Sequence, residues 1–149
     1  MATPPQAPLL RIQRMYVKDL SFENPNAPEI FLEKTASQAE VNLRVCNRQV
    51  DASHWEVTIE VSATVKTGEK VAFIAELEHS GLFLLQNVPE DRRPAVLAVD
   101  CPTLLFPFSR QILSQAVVDG GFPPFLLEPV NFLAMYRSSK GDEPPGTAH

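Results

Sequence analysis

Two hydrophobic patterns follow one another along this chain. The first alternates. Val41, Leu43 and Val45 face one way, with Asn42, Arg44 and Cys46 opposite. From 54 to 66 every odd position is apolar (Trp55, Val57, Ile59, Val61, Ala63, Val65) and every even one is polar. Thr67-Gly68-Glu69 turns the chain, and Val71, Phe73, Ala75 and Leu77 resume the odd-numbered face. A period of two with one dry face predicts a meander of antiparallel strands. The last of these strands departs from the rule: Ala72 and Ile74 put apolar groups on its other face beside Glu76 and Glu78. That face is therefore expected to be covered in part. Ser80-Gly81 then precedes the short run 82–85, a candidate further strand. Ahead of the meander, 10–20 (LRIQRMYVKDL) has a strand's β-branched and aromatic content, with imperfect alternation.

The second pattern is helical. Between Pro94 and Leu127 only Asp100, Arg110 and Asp119 carry charge. Residues 104–118 read as a helix of roughly four turns, with Thr103 as N-cap, Pro107 near the first turn and Gly120-Gly121 as a left-handed stop. At about 100° per residue, Leu104, Phe108, Ile112, Leu113, Ala116, Val117 and Val118 fall on no single stripe but cover most of the cylinder. One small sheet covers only one side of such a helix, so a second copy of the chain is expected on the other. A shorter helix is predicted over 129–138, and 86–94 reads as a polar loop. Strands followed by helices imply an α+β fold with the helices on one side of an antiparallel sheet.

Composition narrows the use of this surface. A net charge of −5 and no basic cluster with interleaved aromatics argue against broad attraction to nucleic acid or anionic lipid. Of fourteen prolines all but Pro107 stand at the ends and at joints; those at Pro25 and Pro28 force an extended, cornered path on the loop that carries Phe22, Ile30 and Phe31. The start lacks a secretory signal, no apolar run approaches the roughly 20 residues that span a bilayer, and Cys46 and Cys101 lie in no C-x-x-C pair, so a soluble cytoplasmic chain with reduced thiols is expected. Residues 1–8 and 139–149 are expected to be disordered tails around one domain, 9–138. No nucleophile elbow, P-loop, dinucleotide fingerprint or zinc-protease motif occurs. His54 and His79 are read as solvated, His149 ends the chain, and neither a metal site nor a cofactor is expected. What remains is surplus apolar surface, which points to self-association and to holding other chains.

Four stretches carry a resemblance: MYVKDLSFENPNAPEIF (15–31), VAFIAELEHSGLF (71–83), CPTLLFPFSRQILSQAVVDGGFPP (101–124) and PVNFLAMY (129–136). In order and separation they resemble the bacterial protein-export chaperone SecB family, over roughly 9–136. The resemblance implies a four-stranded antiparallel sheet with one long and one short helix, assembled as a dimer of dimers. It implies an ATP-independent holdase that keeps preproteins unfolded and passes them to the SecA motor. On matching positions, Asp19, Ser21, Glu23, Ile74 and Glu76 would meet the zinc-bearing C-terminal tail of SecA. Ala75 and Leu77 fall where the family's assembly is sensitive, and join Leu104, Phe108, Ile112, Leu113, Ala116 and Val117 as the expected oligomer interface. Tyr16, Phe22, Phe31, Phe132 and Tyr136 are the expected client-binding residues. The segment 32–40 lacks an aromatic that some members carry, and Trp55 stands on the second strand of the meander, so client preference does not follow from the resemblance. The rival readings are a small oligomeric enzyme with an apolar ligand groove, and a SecB-like chaperone dedicated to a single partner.

Overall fold

The computed structural model describes residues 6–140, and the expected tails fall largely outside them, His149 included. Four strands form one antiparallel sheet in the order β1-β4-β3-β2: β1 Leu9–Glu23, β2 Ser37–Gln49, β3 His54–Thr67 and β4 Lys70–Gln86. Both helices lie on one face, as the α+β reading requires. The register puts odd positions side by side, with Leu43 opposite Val61, Val61 opposite Leu77, and Ala63 opposite Ala75. These odd positions form the core face, and burial of Val57, Ile59, Val61, Phe73, Leu77 and Phe83 is what drives the sheet under the helices.

Two strands differ from expectation. β4 runs unbroken through Ser80-Gly81, so 82–85 is its continuation and the fourth strand is β1. Gly81 marks close packing rather than a turn: a Cβ there would lie 2.6 Å from the Phe83 ring. β1 extends to Glu23 because its end finds partners on β4, with Asp19 opposite Glu78, Ser21 opposite Glu76 and Glu23 opposite Ile74. The chain then crosses from the β1 edge to the β2 edge through 24–36, where a short 3-10 helix, Glu29–Leu32, interrupts the extended, cornered path expected from its prolines. Side-chain amides anchor this crossover: Asn24 Nδ2 donates to the Gly120 carbonyl (3.0 Å) and Asn26 Nδ2 to that of Val71 (2.8 Å).

The long helix, Cys101–Asp119, starts earlier than expected and follows without a break on Arg93–Ala95 and a π turn, Val96–Asp100. Thr103 is therefore no N-cap; its hydroxyl donates back to the Val99 carbonyl. Pro107 becomes interior, and because it faces solvent, water can satisfy the carbonyl that its missing N–H leaves free. Gly121, at φ 97°, ends the helix: its N–H bonds the Val118 carbonyl and that of Phe122 the Val117 carbonyl, a Schellman stop. Together the helical stretch Arg93–Asp119 has 27 residues and is long and apolar enough to cross a membrane by length and average composition, although polar residues such as Asp100, Ser109, Arg110 and Gln111 interrupt it and no unbroken apolar run approaches that length. Its packing is that of a core helix. Leu105, Ser109, Leu113 and Val117 form an i, i+4 row laid on the sheet. The short helix, Phe132–Ser139, is capped by Asn131, whose Oδ1 accepts the Ala134 N–H.

Four residues expected between subunits lie inside the protomer instead. Leu113 and Val117 are 0% exposed, and Ala75 and Leu77 point from β4 into the same core. Their own sheet and helix cover them, because the helix turns that row toward β4. His79 is also not solvated. It stands on the odd face of β4, 2% exposed, with Nδ1 2.7 Å from Ser109 Oγ. Burial holds its pKa below the ordinary 6.5.

Candidate functional site

The helices do not cover the whole core face. On the β2 side, the strand's odd positions and the connection 125–130 bound a groove of about 580 Å³, lined by Ala39, Val41, Leu43, Phe125, Leu126 and Val130 among others. Leu43 is shared with a second hollow of about 270 Å³ that reaches Met135 and Tyr136. The two make one apolar trough along an edge strand. Val41 is 42% exposed and Leu126 is 70% exposed. The connection stands off because FPPFLLEP cannot continue a helix through its prolines, yet Phe125 and Leu127 pin it to the core.

Of the five residues expected to hold clients, Phe132 and Tyr136 line this trough. Phe132 is mostly buried, its ring edge-on to Phe106 at 5.7 Å, so only its rim can contact a ligand. Phe31, exposed on the crossover, begins a chain of rings: Phe31–Phe122 5.1 Å, Phe122–Phe73 5.0 Å and Phe73–Phe125 5.9 Å, ending at the trough. Phe22 stacks on Phe73 at 5.6 Å and closes the corner of the core instead of lining the trough. Tyr16 is a correction. It faces the opposite side of the sheet, where its hydroxyl donates to the buried carboxylate of Glu56 at 2.5 Å. Burial, then this bond, pushes the Tyr16 pKa up to about 12, while the same bond and Lys18 hold Glu56 below its ordinary value. Val41, Leu43, Phe125 and Leu126 carry more of the trough than any residue expected there. The signal for Phe125 and Leu126 was the apolar, proline-framed connection between the helices, and for Val41 and Leu43 the alternation of β2.

A second surface lies on the β1 side. Met15, Val17 and Leu20 sit on the core-facing side of β1 but beyond the helix, and each is exposed. Leu104 and Phe108 are also exposed, on the helix flank about 200° round from Phe106, which packs toward the short helix. That direction is the β1 side, and Ile112 and Ala116 continue the row half-buried. These residues form an apolar strip that the protomer leaves uncovered.

The third surface is the face without helices. Asp19, Ser21 and Glu23 meet Glu78, Glu76 and Ile74 across the β1–β4 ladder, so the sheet brings the two separated acidic stretches together. All five expected SecA-tail residues share this patch. It opens on a shallow hollow of about 350 Å³, where Glu60 and Arg44 form an ion pair (Arg44 Nε to Glu60 Oε2, 2.7 Å) beside Asp19, Glu76 and Glu78.

A family model described as "Preprotein translocase subunit SecB" matches residues 3–143. The chain is 53% identical over 145 residues to "Protein-export protein SecB" of Desulfotalea psychrophila, covering 95% of this chain and 93% of that one. It is 43% identical to the protein of the same name from Magnetococcus marinus, over 93% and 89% of the two chains. Among solved structures, a Mycobacterium tuberculosis SecB-like chaperone, in complex with a ChAD peptide from an antitoxin, shares the fold at a TM-score of 0.68. Identity there is 16%, with 81% of this chain and 90% of that one covered.

Proposed function

This chain belongs to the SecB family of preprotein translocase subunits, and from that premise we propose that it is an ATP-independent holdase that keeps preproteins unfolded in the cytoplasm and delivers them to SecA. The observation that carries the holding role is the apolar trough beside β2. It is open, it runs along an edge strand, and it offers no sequence code. An unfolded segment can lay apolar side chains into it and add backbone hydrogen bonds at the strand edge. A folded client exposes neither. The rival enzyme reading needs a histidine or buried carboxylate at the groove; the lining of the trough contains Glu128, Arg44 and Tyr136 as its titratable groups, and no histidine.

The β1-side strip supports assembly with a second copy, and so a dimer of dimers in which the helices lie between subunits. Leu104, Phe108, Ile112 and Ala116 remain in that interface, while Ala75, Leu77, Leu113 and Val117 act on assembly from beneath it. The patch of Asp19, Ser21, Glu23, Ile74 and Glu76 is the docking surface for the zinc-bearing tail of SecA, carboxylates receiving its basic groups around one apolar contact. Neither a cofactor nor a protein-bound metal enters this scheme.

The test is suppression of aggregation of a chemically unfolded preprotein by the purified chain without nucleotide. Suppression at near-stoichiometric ratio, across unrelated clients, is expected. Suppression confined to one client would favour a dedicated chaperone, and none at all would refute the holding role.

A further inference from the structure

The helix-free face is acidic at one end only. At its other end, Arg11 stands beside Leu84 and Arg14 beside Leu82 on the β1–β4 ladder. Across β3, Leu82 neighbours Glu56, which neighbours Arg48 on β2. One row across the sheet therefore reads Arg14, Leu82, Glu56, Arg48, spanning about 14 Å at ordinary strand spacing. Glu56 is already engaged by Lys18 Nζ (3.3 Å), Arg48 Nε (3.2 Å) and Tyr16. Among the described residues, Arg11 and Arg14 make no ion pair. Four cations thus frame one satisfied carboxylate and two half-buried leucines. Nearby His54 is held by Asp51, at 2.7 Å. In a chain of net charge −5 this concentration of positive charge needs a reason.

We propose that this end of the face docks a segment of a partner polypeptide in which carboxylates flank apolar side chains. Two features select that occupant. The leucines between the cations offer apolar contact that a phosphate backbone does not use. Asp19, Glu23, Glu76 and Glu78 begin about 14 Å along the sheet, four residues of β4 from Leu82 to Glu78, and would repel any broad anionic surface laid across it. With a Debye length of about 8 Å, a short segment over Arg11 and Arg14 is largely screened from them, whereas a membrane or a duplex is not. This end lies apart from the patch assigned to the SecA tail, and the proposal does not depend on that assignment.

The experiment is fluorescence anisotropy with a labelled soluble peptide alternating Glu with Leu, at low and high salt. Its Gln/Leu counterpart, phosphatidylserine vesicles and a DNA duplex are the other arms. The Glu/Leu peptide should bind, and salt should weaken it. The Gln/Leu peptide, or Arg11→Glu with Arg14→Glu, should lower affinity about ten-fold or more, while lysine at both positions should retain most of it. Arg11→Gln with Arg14→Gln gives a milder form if charge reversal disturbs the edge strand, and should give an intermediate loss. Equal binding of the Gln/Leu peptide, or unchanged affinity in both arginine variants, would overturn the proposal. So would tighter binding of vesicles or DNA than of the peptide. Self-association of the wild type that is lost in the variants would make a second copy's acidic end the occupant and overturn it too.

Discussion

The two edges of the sheet both leave apolar surface uncovered, yet they differ in shape. At β1 the surface is made from regular elements: Met15, Val17 and Leu20 on a strand, Leu104 and Phe108 on the adjacent helix. Such a strip is built from regular backbone, the strand bonded to β4 along one side and the helix bonded within itself. At β2 the second wall is the irregular connection 125–130, which stands off the strand and leaves a trough. A strip of regular elements is complementary to a copy of itself through a two-fold axis. A trough beside an unpaired strand edge is complementary to an extended chain. Apolar exposure tells that an edge is used; the wall opposite it tells by what.

The largest effect separates core from edge. Leu113 fills the protomer's core, and Leu113→Ala should cost about 2–5 kcal/mol of stability through lost burial and the cavity left behind. Phe108 lies about a turn and a half away on another side of the helix and is 45% exposed, so Phe108→Asp should leave the protomer folded but split the assembly. Light scattering and denaturant titration on both variants check this. If wild type itself scatters as a single chain at micromolar concentration, the β1 edge has no partner. If Phe108→Asp unfolds the protomer, core and edge are not separable there.

Next comes the trough. Val41→Asp with Leu126→Asp places two charges where client side chains would lie, each replacing apolar contact worth about 1–2 kcal/mol. Holding of an unfolded preprotein should fall ten-fold or more, with the oligomer unchanged. An unaltered aggregation assay would move the client site elsewhere. Loss of the oligomer would mean that the β2 edge, not only β1, carries assembly.

How much of this was readable in the chain depends on which surfaces are periodic. The meander and its dry face were legible because alternation is a local signal, and the acidic patch because its two stretches resemble a family. What failed was the sorting of one helix's residues. Leu104, Phe108, Leu113 and Val117 look alike in sequence, and only the direction in which the sheet meets the helix puts the last two inside. Tyr16 failed for a related reason. The register shifts in β1 after Ile12 and Val17 cannot be counted from alternation, and they set which face an aromatic takes. His79 looked polar among Glu76, Glu78 and Ser80, yet its odd position belongs to the core face.

His79 gives a smaller effect that bears on the β1 edge more than the β2 edge, since it stands between Val17 of β1 and Ile59 of β3 and bonds Ser109 on the helix. Burial disfavours the imidazolium, so the folded pKa lies below the ordinary 6.5. The unfolded chain binds more protons below that value. The stability that this site contributes is therefore complete above 6.5 and declines as pH falls through it, by at most about 1.4 kcal/mol per pH unit. Glu56 loses its own contribution only further down, below its ordinary 4.5. Between about pH 7.5 and about pH 5.5 thermal stability should drop in wild type and stay flatter in His79→Gln, which can keep a bond to Ser109. Hydrogen exchange should show the loosening in β1 and β4 rather than β2. Parallel curves for wild type and His79→Gln would remove His79 from the account.

The smallest effect concerns the face that belongs to neither edge. Asp19 and Glu76 are exposed and lie on neighbouring strands, Asp19 beside Glu78 and Ser21 beside Glu76. Exposed charge pairs with a basic partner contribute about 0–1 kcal/mol each and are screened by salt. Asp19→Asn alone should thus weaken docking of the zinc-loaded SecA tail only a few-fold, and Asp19→Asn with Glu76→Gln somewhat more, with a shallower salt dependence than wild type. Client holding and assembly should not change, because the trough and the β1 strip lie on the other side of the sheet. Calorimetric titration of the isolated tail at two salt concentrations, beside the aggregation assay, measures both. Unchanged tail affinity in the double variant would reject the assignment of this face. A parallel loss of holding would mean that the helix-free face and the trough are coupled through the sheet, and that the difference between its two edges does not extend to separate duties for its two faces.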